Sequence, residues 1–518
     1  MLIHGENIIN NNASQYNLEL VNTTMAPDGV SRDMLVFNNQ YPGPPIVADW
    51  GDTIQVNVKN SLAINGTSIH WHGMRQLHSN QMDGTNGITE CPIAPGQTKT
   101  YTFKATEYGT SWYHSHYSVQ YSEGAVGPII INGPSSANWD IDLGALPLTD
   151  WFHEPVFEIL ASQPQAPPTS QSILVNGSAV YNGQGQYSTT TLTPGKKHLL
   201  RLVNTGINNY IHVSLDDHPF TVIASDFVPV VPFEATELTL GIGQRYDVII
   251  NANQTVGNYW FRVGTGGSCD GPNEQAENGQ TEGAIFSYVG APSGNPTSTS
   301  YDLGTGCSDV TGLVPVVSLT VPPPASVPTE LDLTLDTTGG VFWLVNGEAI
   351  HIDWTKPTLN YIINGTYTLP AQDNGIVINN ANIYTFWIIQ NDTPLPHPIH
   401  LHGHDFWEVA LGTGSGTGVS LTLDNPTRRD TATAPSGGYL IIAFISDNPG
   451  AWLMHCHIPF HISGGLGVQF LEVPSQVVST LGDLSGLEQG CQTWDAFAPN
   501  VVQPDSGLKK REREIRRS

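Results

Sequence analysis

Residues 450–473 read GAWLMHCHIPFHISGGLGVQFLEV. Apolar residues bounded by glycines describe a buried strand, a Gly-rich turn and a second strand. The same frame occurs twice earlier. GTSWYHSH (109–116) is followed by EGAVGPIIING (123–133), and GNYWFRV (257–263) by EGAIFSYVG (282–290). Upstream of each copy, a strand ending in Asn precedes a His-bearing strand by about ten residues. These pairs are VNVKN (56–60) with SIHWHG (68–73), LRLVN (200–204) with YIHVSL (210–215), and FWIIQN (386–391) with PIHLHG (398–403). A repeat of this kind predicts related β-units in tandem, each a sandwich or barrel. Ser/Pro/Gly-rich segments place the divisions at 1–135, 136–302 and 303–508. Other runs rich in Val, Ile, Tyr and Thr agree with an all-β chain, among them Thr53–Val58, Thr98–Phe103, Tyr246–Ile250 and Tyr384–Ile389. Pro155–Leu160 could make a helical turn or two, and PPPASVP (322–328) reads as an extended segment early in the third unit.

The copies differ in chemistry. The first and third carry paired histidines, whereas Ser214 stands where the middle copy would need its second one. The middle unit is therefore expected to hold no metal. Ten of the 18 histidines fall into four clusters: His70/His72, His114/His116, His397/His400/His402 and His455/His457/His461. On a strand, residues two apart share a face, so each His-x-His presents two imidazoles side by side. Neutral imidazole suits copper, zinc, iron and nickel. Buried without a metal, these ring nitrogens would go unpaired at roughly 1–3 kcal/mol each.

Alternation also puts Cys456 on the face opposite His455 and His457, so one strand would separate two metal sites. His397 lies at odd spacing from His400 and can join Cys456 and His461. A His₂Cys set of this kind is the signature of a blue-copper electron-transfer centre. Its weak axial ligand is usually Met, but ten residues after Cys456 the chain has Leu466. The other eight clustered histidines suit three coppers, and four one-electron centres match the four electrons that dioxygen needs to become water. The eight histidines outside the clusters read as surface or ordinary core residues, with His404, beside HLHG, best placed to support a ligand.

The chain has 518 residues, with 19 basic against 46 acidic side chains and a formal charge of −27. A nucleic-acid binder needs clustered Lys and Arg, so that class is excluded. No apolar run approaches the ~20 residues of a membrane span. Six basic residues lie in the last ten positions, which reads as a removable tail, 509–518. Sequons at Asn12, Asn22, Asn65, Asn176, Asn253, Asn364 and Asn391 suggest a secreted glycoprotein. The opening MLIHGENIINNN lacks a signal-peptide pattern, so the signal is expected to be absent from this chain or the numbering to begin inside the protein. With Cys456 on a metal, Cys91, Cys269, Cys307 and Cys491 remain, and four cysteines allow three pairings.

HWHG, HSH, HPIHLHGH and HCHIPFHISGGL, in that order, resemble the multicopper oxidases over essentially the whole chain. Leu466 and the DSGL at Asp505–Leu508 resemble the laccases of ascomycete fungi. The resemblance implies three cupredoxin-like Greek-key barrels and four copper ions. His397, Cys456 and His461 would hold the type 1 copper, and His70 and His400 the type 2. His72, His114 and His457 would hold one type 3 copper, and His116, His402 and His455 the other. Asp83 matches the family's acid near the cluster, where a carboxylate can relay protons. The resemblance also implies cleavage after Leu508, a loop disulfide Cys269–Cys307 and, by what is left, Cys91–Cys491. Two departures stand out. Family-like sequence begins only around Tyr16, and Asn208 occupies a substrate-pocket position where relatives often carry an acid.

The expected activity is a secreted, monomeric laccase. It would take one electron at a time from phenols or aromatic amines at the His461 edge, pass them through Cys456 to His455 and His457, and reduce dioxygen to water. A relative acting on ferrous iron, ascorbate or a pigment precursor is the alternative within the class. A copper-binding protein without turnover is the alternative outside it.

Overall fold

The computed structural model describes residues 14–162, 166–265, 273–276, 280–299, 301 and 303–498. The chain is all-β, and its sheets come in pairs. Arg32–Phe37, Ser14–Met25, Thr53–Asn60 and Thr98–Lys104 form one four-stranded sheet. Ile46–Asp49, Val126–Asn132, Gly109–Ser115 and Ile69–Trp71 form its partner. Further along, a six-stranded sheet built on Lys197–Asn204 faces a five-stranded one built on Asn258–Thr265. The last pair has the same sizes and is built on Tyr384–Asn391 and Gly450–Cys456. Each pair encloses its own apolar core, for example Val56, Trp71, Tyr113 and Ile129 in the first. Val213, Val248 and Phe261 lie in the second, and Ile389, Leu401 and Phe470 in the third.

The repeat is one of topology. Each Asn-ending strand runs parallel to the strand that opens its unit: Thr53–Asn60 beside Ser14–Met25, Lys197–Asn204 beside Ile141–Trp151, Tyr384–Asn391 beside Thr329–Asp336. The Asn is there for the turn that follows. Its side-chain oxygen accepts the backbone N–H two residues on, from Leu62 (3.0 Å), Gly206 (2.8 Å) and Thr393 (3.0 Å). Its amide then donates to carbonyls across the turn, including Ile93, Leu240 and Ala434. An Asx turn held at both ends aims the next strand identically in all three units.

Short helices close the ends. Val156–Ala161 is the helical turn expected near Pro155. Pro474–Leu481 and Ser485–Phe497 carry the chain back from the last sheets to the first. There Cys491 is bonded to Cys91, packed among Ile88, Leu487 and Trp494. The Cys269–Cys307 pairing involves Cys269, which lies outside the described residues, as do Asp505–Leu508 and the basic tail. No helix among the described residues is long and apolar enough to cross a membrane.

Candidate metal centres

The third-unit strand Gly450–Cys456 is central. It pairs with His397–Leu401 so that His400 lies opposite His455 and Ile399 opposite Cys456. In the first unit His70 lies opposite His114. The middle unit keeps the frame but places His212 opposite Gly264, so no second imidazole faces it. The expectation that both members of each His-x-His lie on a strand needs correction. The strands end at Trp71, Ser115, Leu401 and Cys456. His72, His116, His402 and His457 are therefore the first residues beyond them, where the turning backbone swings each ring towards the facing unit.

Two clusters lie on opposite faces of Gly450–Cys456. On one, Cys456 Sγ is 3.6 Å from His397 Nδ1 and 3.5 Å from His461 Nδ1, and those two nitrogens are 3.0 Å apart. Leu466 is buried in the same apolar cluster as Cys456 and Ile458, and its carbonyl accepts the Cys456 N–H (3.1 Å). On the other face are eight histidines. His72, His114 and His457 form one group whose ligand atoms lie within 4.8 Å of one another. His116, His402 and His455 form a second such group, and His70 and His400, with His72, a third. All are buried except His116, which is half-buried.

The hydrogen bonds fix which nitrogen each ring offers. His70, His114, His400 and His455 donate from Nδ1 to the carbonyls of Asp83 (3.0 Å), Ser115 (3.1 Å), Asp430 (2.8 Å) and Cys456 (2.8 Å). Nε2 is left as a lone pair turned inward, and at His70, His114 and His400 it is buried without a protein partner. His402 places Nδ1 2.9 Å from Asp83 Oδ2, and its Nε2 faces that of His455 at 3.2 Å. Two lone pairs held that close repel unless a cation sits between them. Burial first, and neighbouring imidazoles second, hold His72, His114, His116, His400, His402 and His457 well below the ordinary histidine range. Burial brings His397 down to about 3 and His455 to about 4. Burial followed by His397 lowers His461. Neutral rings converging their lone pairs fit a soft or borderline metal cation.

Acids support the ligands from behind. Asp83 Oδ2 accepts from Thr85 Oγ1 (2.7 Å) as well as facing His402, and Oδ1 lies 3.3 Å from His70 Nδ1. His404 is buried, with Nδ1 on the His402 carbonyl (3.1 Å) and Nε2 lying 2.9 Å from Glu472 Oε2. Sequence reasoning leaves out Asp430. Its Oδ1 lies 3.2 Å from His72 Nε2, and Arg245 holds it from the second pair of sheets at 2.6 and 2.7 Å. Its only sequence signal is an Asp just before the strand Thr431–Ala434, which does not separate it from any buried acid.

Beside the Cys456 centre, Phe460 packs with Val119, Phe152, Val156, Phe157 and Ile207 into an apolar cluster. Asn208 follows Ile207 and is buried. Its N–H donates to Asp150 (3.0 Å) and its side-chain amide to the Pro168 carbonyl (3.3 Å).

Family models described as multicopper oxidase match residues 19–136, 143–291 and 324–476. A curated relative, Laccase-3 of Botryotinia fuckeliana, is 51% identical over 83% of this chain and 100% of its own length. The laccase of Neurospora crassa is 46% identical over 96% of this chain and 84% of its own length. Among solved structures, the laccase from Botrytis aclada superposes with a TM-score of 0.91 at 41% identity, covering 96% of this chain and 95% of that one.

Proposed function

Because this chain belongs to the multicopper oxidase family, we infer from its buried His/Cys centres how it works as a laccase, oxidising phenols and aromatic amines one electron at a time and reducing dioxygen to water. Its cofactor is copper. We take the complement to be four ions, one type 1, one type 2 and two type 3. Copper supplies the one-electron steps at the first centre and the four-electron reduction at the second. His397, Cys456 and His461 would hold the type 1 ion, and His70 and His400 the type 2. His72, His114 and His457, and His116, His402 and His455, would hold the type 3 pair. The observation that carries this reading is the strand Gly450–Cys456, whose Cys456 belongs to one cluster while the adjacent His455 and His457 belong to the other. Electrons need cross only a few covalent bonds, and the His455 Nδ1–H to Cys456 carbonyl bond (2.8 Å) shortens the path.

The remaining roles follow from position. Apolar Phe460, Ile207 and Phe152 suit an aromatic ring approaching His461. Asn208 is the nearby polar candidate for that pocket, and as an amide it cannot take a proton from a phenol. Asp83 and Thr85 can hold a proton at the oxygen-reducing side. Leu466 supplies no thioether, so the cupric state is less stabilised. The middle unit, 136–302, would carry no copper and would wall the pocket, while 1–135 and 303–508 hold the ligands. Secretion, glycosylation at the sequons, a monomeric state and removal of 509–518 complete the reading.

Metal analysis, visible absorption and oxygen uptake with a simple phenol test it together. Four coppers per chain, an intense blue oxidised state and phenol-dependent oxygen consumption are expected, and Cys456→Ser should abolish both colour and phenol oxidation. Zinc in place of copper, or a colourless oxidised protein, would refute the assignment.

A further inference from the structure

The sequence marks the middle copy of the repeat as the one without paired histidines, yet its chain reaches the eight-histidine centre. Gly243 adopts φ of +92°, and a Cβ added there would lie 2.9 Å from His72 Cε1 and 3.1 Å from His457 Cδ2. The backbone before the strand Arg245–Asn251 therefore lies directly on two ligand rings, and only glycine fits. Two residues on, Arg245 is fully buried. Its Nε donates to the Thr110 carbonyl of the first unit (3.0 Å). Its two terminal nitrogens donate to the two oxygens of Asp430 in the third (2.6 and 2.7 Å). Thr431 Oγ1 also donates to Asp430 Oδ1 (3.0 Å).

His72 is turned the opposite way from its neighbours. His70, His114, His400 and His455 place Nδ1–H on backbone carbonyls and offer Nε2. At His72, Nε2 lies 3.2 Å from Asp430 Oδ1, and Nδ1 faces His457 Nε2 at 3.2 Å. A carboxylate only accepts, so it draws the ring proton to Nε2 and leaves the Nδ1 lone pair for the metal. That selection holds only while the carboxylate keeps its plane, and the planar, two-pronged guanidinium fixes it. We propose that Arg245, acting through Asp430, is a positioning residue that selects Nδ1 of His72 as the ligand atom. The inference rests on the copper reading above. It makes the unit without histidine pairs a working part of the centre shared by the other two, because second-sphere partners set ring orientation and basicity.

Arg245→Gln, Arg245→Lys and Asp430→Asn, purified as secreted holoprotein beside wild type, test this by metal analysis, visible absorption and electron paramagnetic resonance. Arg245→Gln should lose about one copper per chain with the blue band at full intensity. A coupled Cu(II) pair is silent in paramagnetic resonance, so the ion left behind by its partner should add a new signal. Lysine keeps the charge but not the fork and should recover the lost copper only in part. If Arg245→Gln does not fold, Asp430→Asn, close to isosteric, carries the same expectation. Variants with wild-type copper and spectra, full recovery by lysine, or a blue band falling in parallel with total copper would each overturn the role. Wild-type protein without copper would instead sink the underlying reading.

Discussion

At the scale of single residues, the chain spends its backbone carbonyls on orienting imidazoles. Each Nδ1–H given to a main-chain oxygen turns an otherwise ambiguous ring into one lone pair with a fixed direction. Cys456 is the counterpart, a buried thiol facing His397 and His461 in a chain that bonds Cys91 to Cys491. Leu466 is where a single substitution should be read out most directly. It is buried in the same apolar cluster as Cys456 and accepts the Cys456 N–H with its own carbonyl. Leu466→Met should add a weak thioether donor, stabilise the cupric state and lower the type 1 potential. Redox titration of the blue band checks this, and turnover of the hardest-to-oxidise phenols should fall first. An unchanged or raised potential would place Leu466 away from the metal.

At the scale of elements, one strand pattern has been put to two uses. His400 lies opposite Thr431, whose hydroxyl is 3.2 Å from its Nδ1. His212 lies opposite Thr239 in the same way, at 3.1 Å. Here the resemblance ends, because His212 places Nδ1 on Glu237 (2.6 Å) and Nε2 on the Gly306 carbonyl (2.8 Å). A backbone oxygen from the connection into the third unit stands where His400 offers a lone pair, so a ligand position has become a structural clasp. The terminal helix Ser485–Phe497 is a second tie, bringing Cys491 to Cys91 across 400 residues of chain. Replacing both cysteines with alanine removes a cross-link over a very long loop and should cost about 2–5 kcal/mol. Denaturant unfolding of the copper-loaded protein measures it, and an unchanged midpoint would mean the helix is held by its apolar face alone.

For the whole molecule, electrostatics decides where charge is tolerated. With a formal charge of −27, the buried acids are paired with arginines: Asp226 and Asp430 with Arg245, which joins the second unit to the third, and Asp309 with Arg429 within the third. Glu107 is less well served. Burial raises its carboxyl to about 7, opposed by Thr106 and Arg75. A folded-state value above the unfolded one means that the native protein holds this proton after the unfolded chain has lost it. Glu107 therefore makes stability fall as pH rises from about 4.5 to about 7, with a plateau above. Glu107→Gln should leave stability near pH 4 almost unchanged and raise it by about 1–3 kcal/mol at pH 8. Equilibrium unfolding of both proteins at the two pH values tests this, and parallel curves would show that the group is solvated in the native state.

The threefold frame, the all-β class and the two-faced strand around Cys456 could be read from the chain alone, because they rest on local periodicity. Alternation at His455 and Cys456 is a property of any strand, and an Asn before a turn acts through its own neighbours. What only the tertiary structure decided lies between units. His72 and His402 leave their strands at the first turn residue, and no spacing rule says which nitrogen they then present. Asp430 and Arg245 are 185 residues apart, and nothing near either one in the chain marks them as partners. Their meeting depends on how three barrels dock, and so does the glycine that lets Gly243 rest on His72. Local pattern names the donors, because it reports which way a side chain leaves its strand. Docking sets their direction, because that depends on groups brought in from distant parts of the chain.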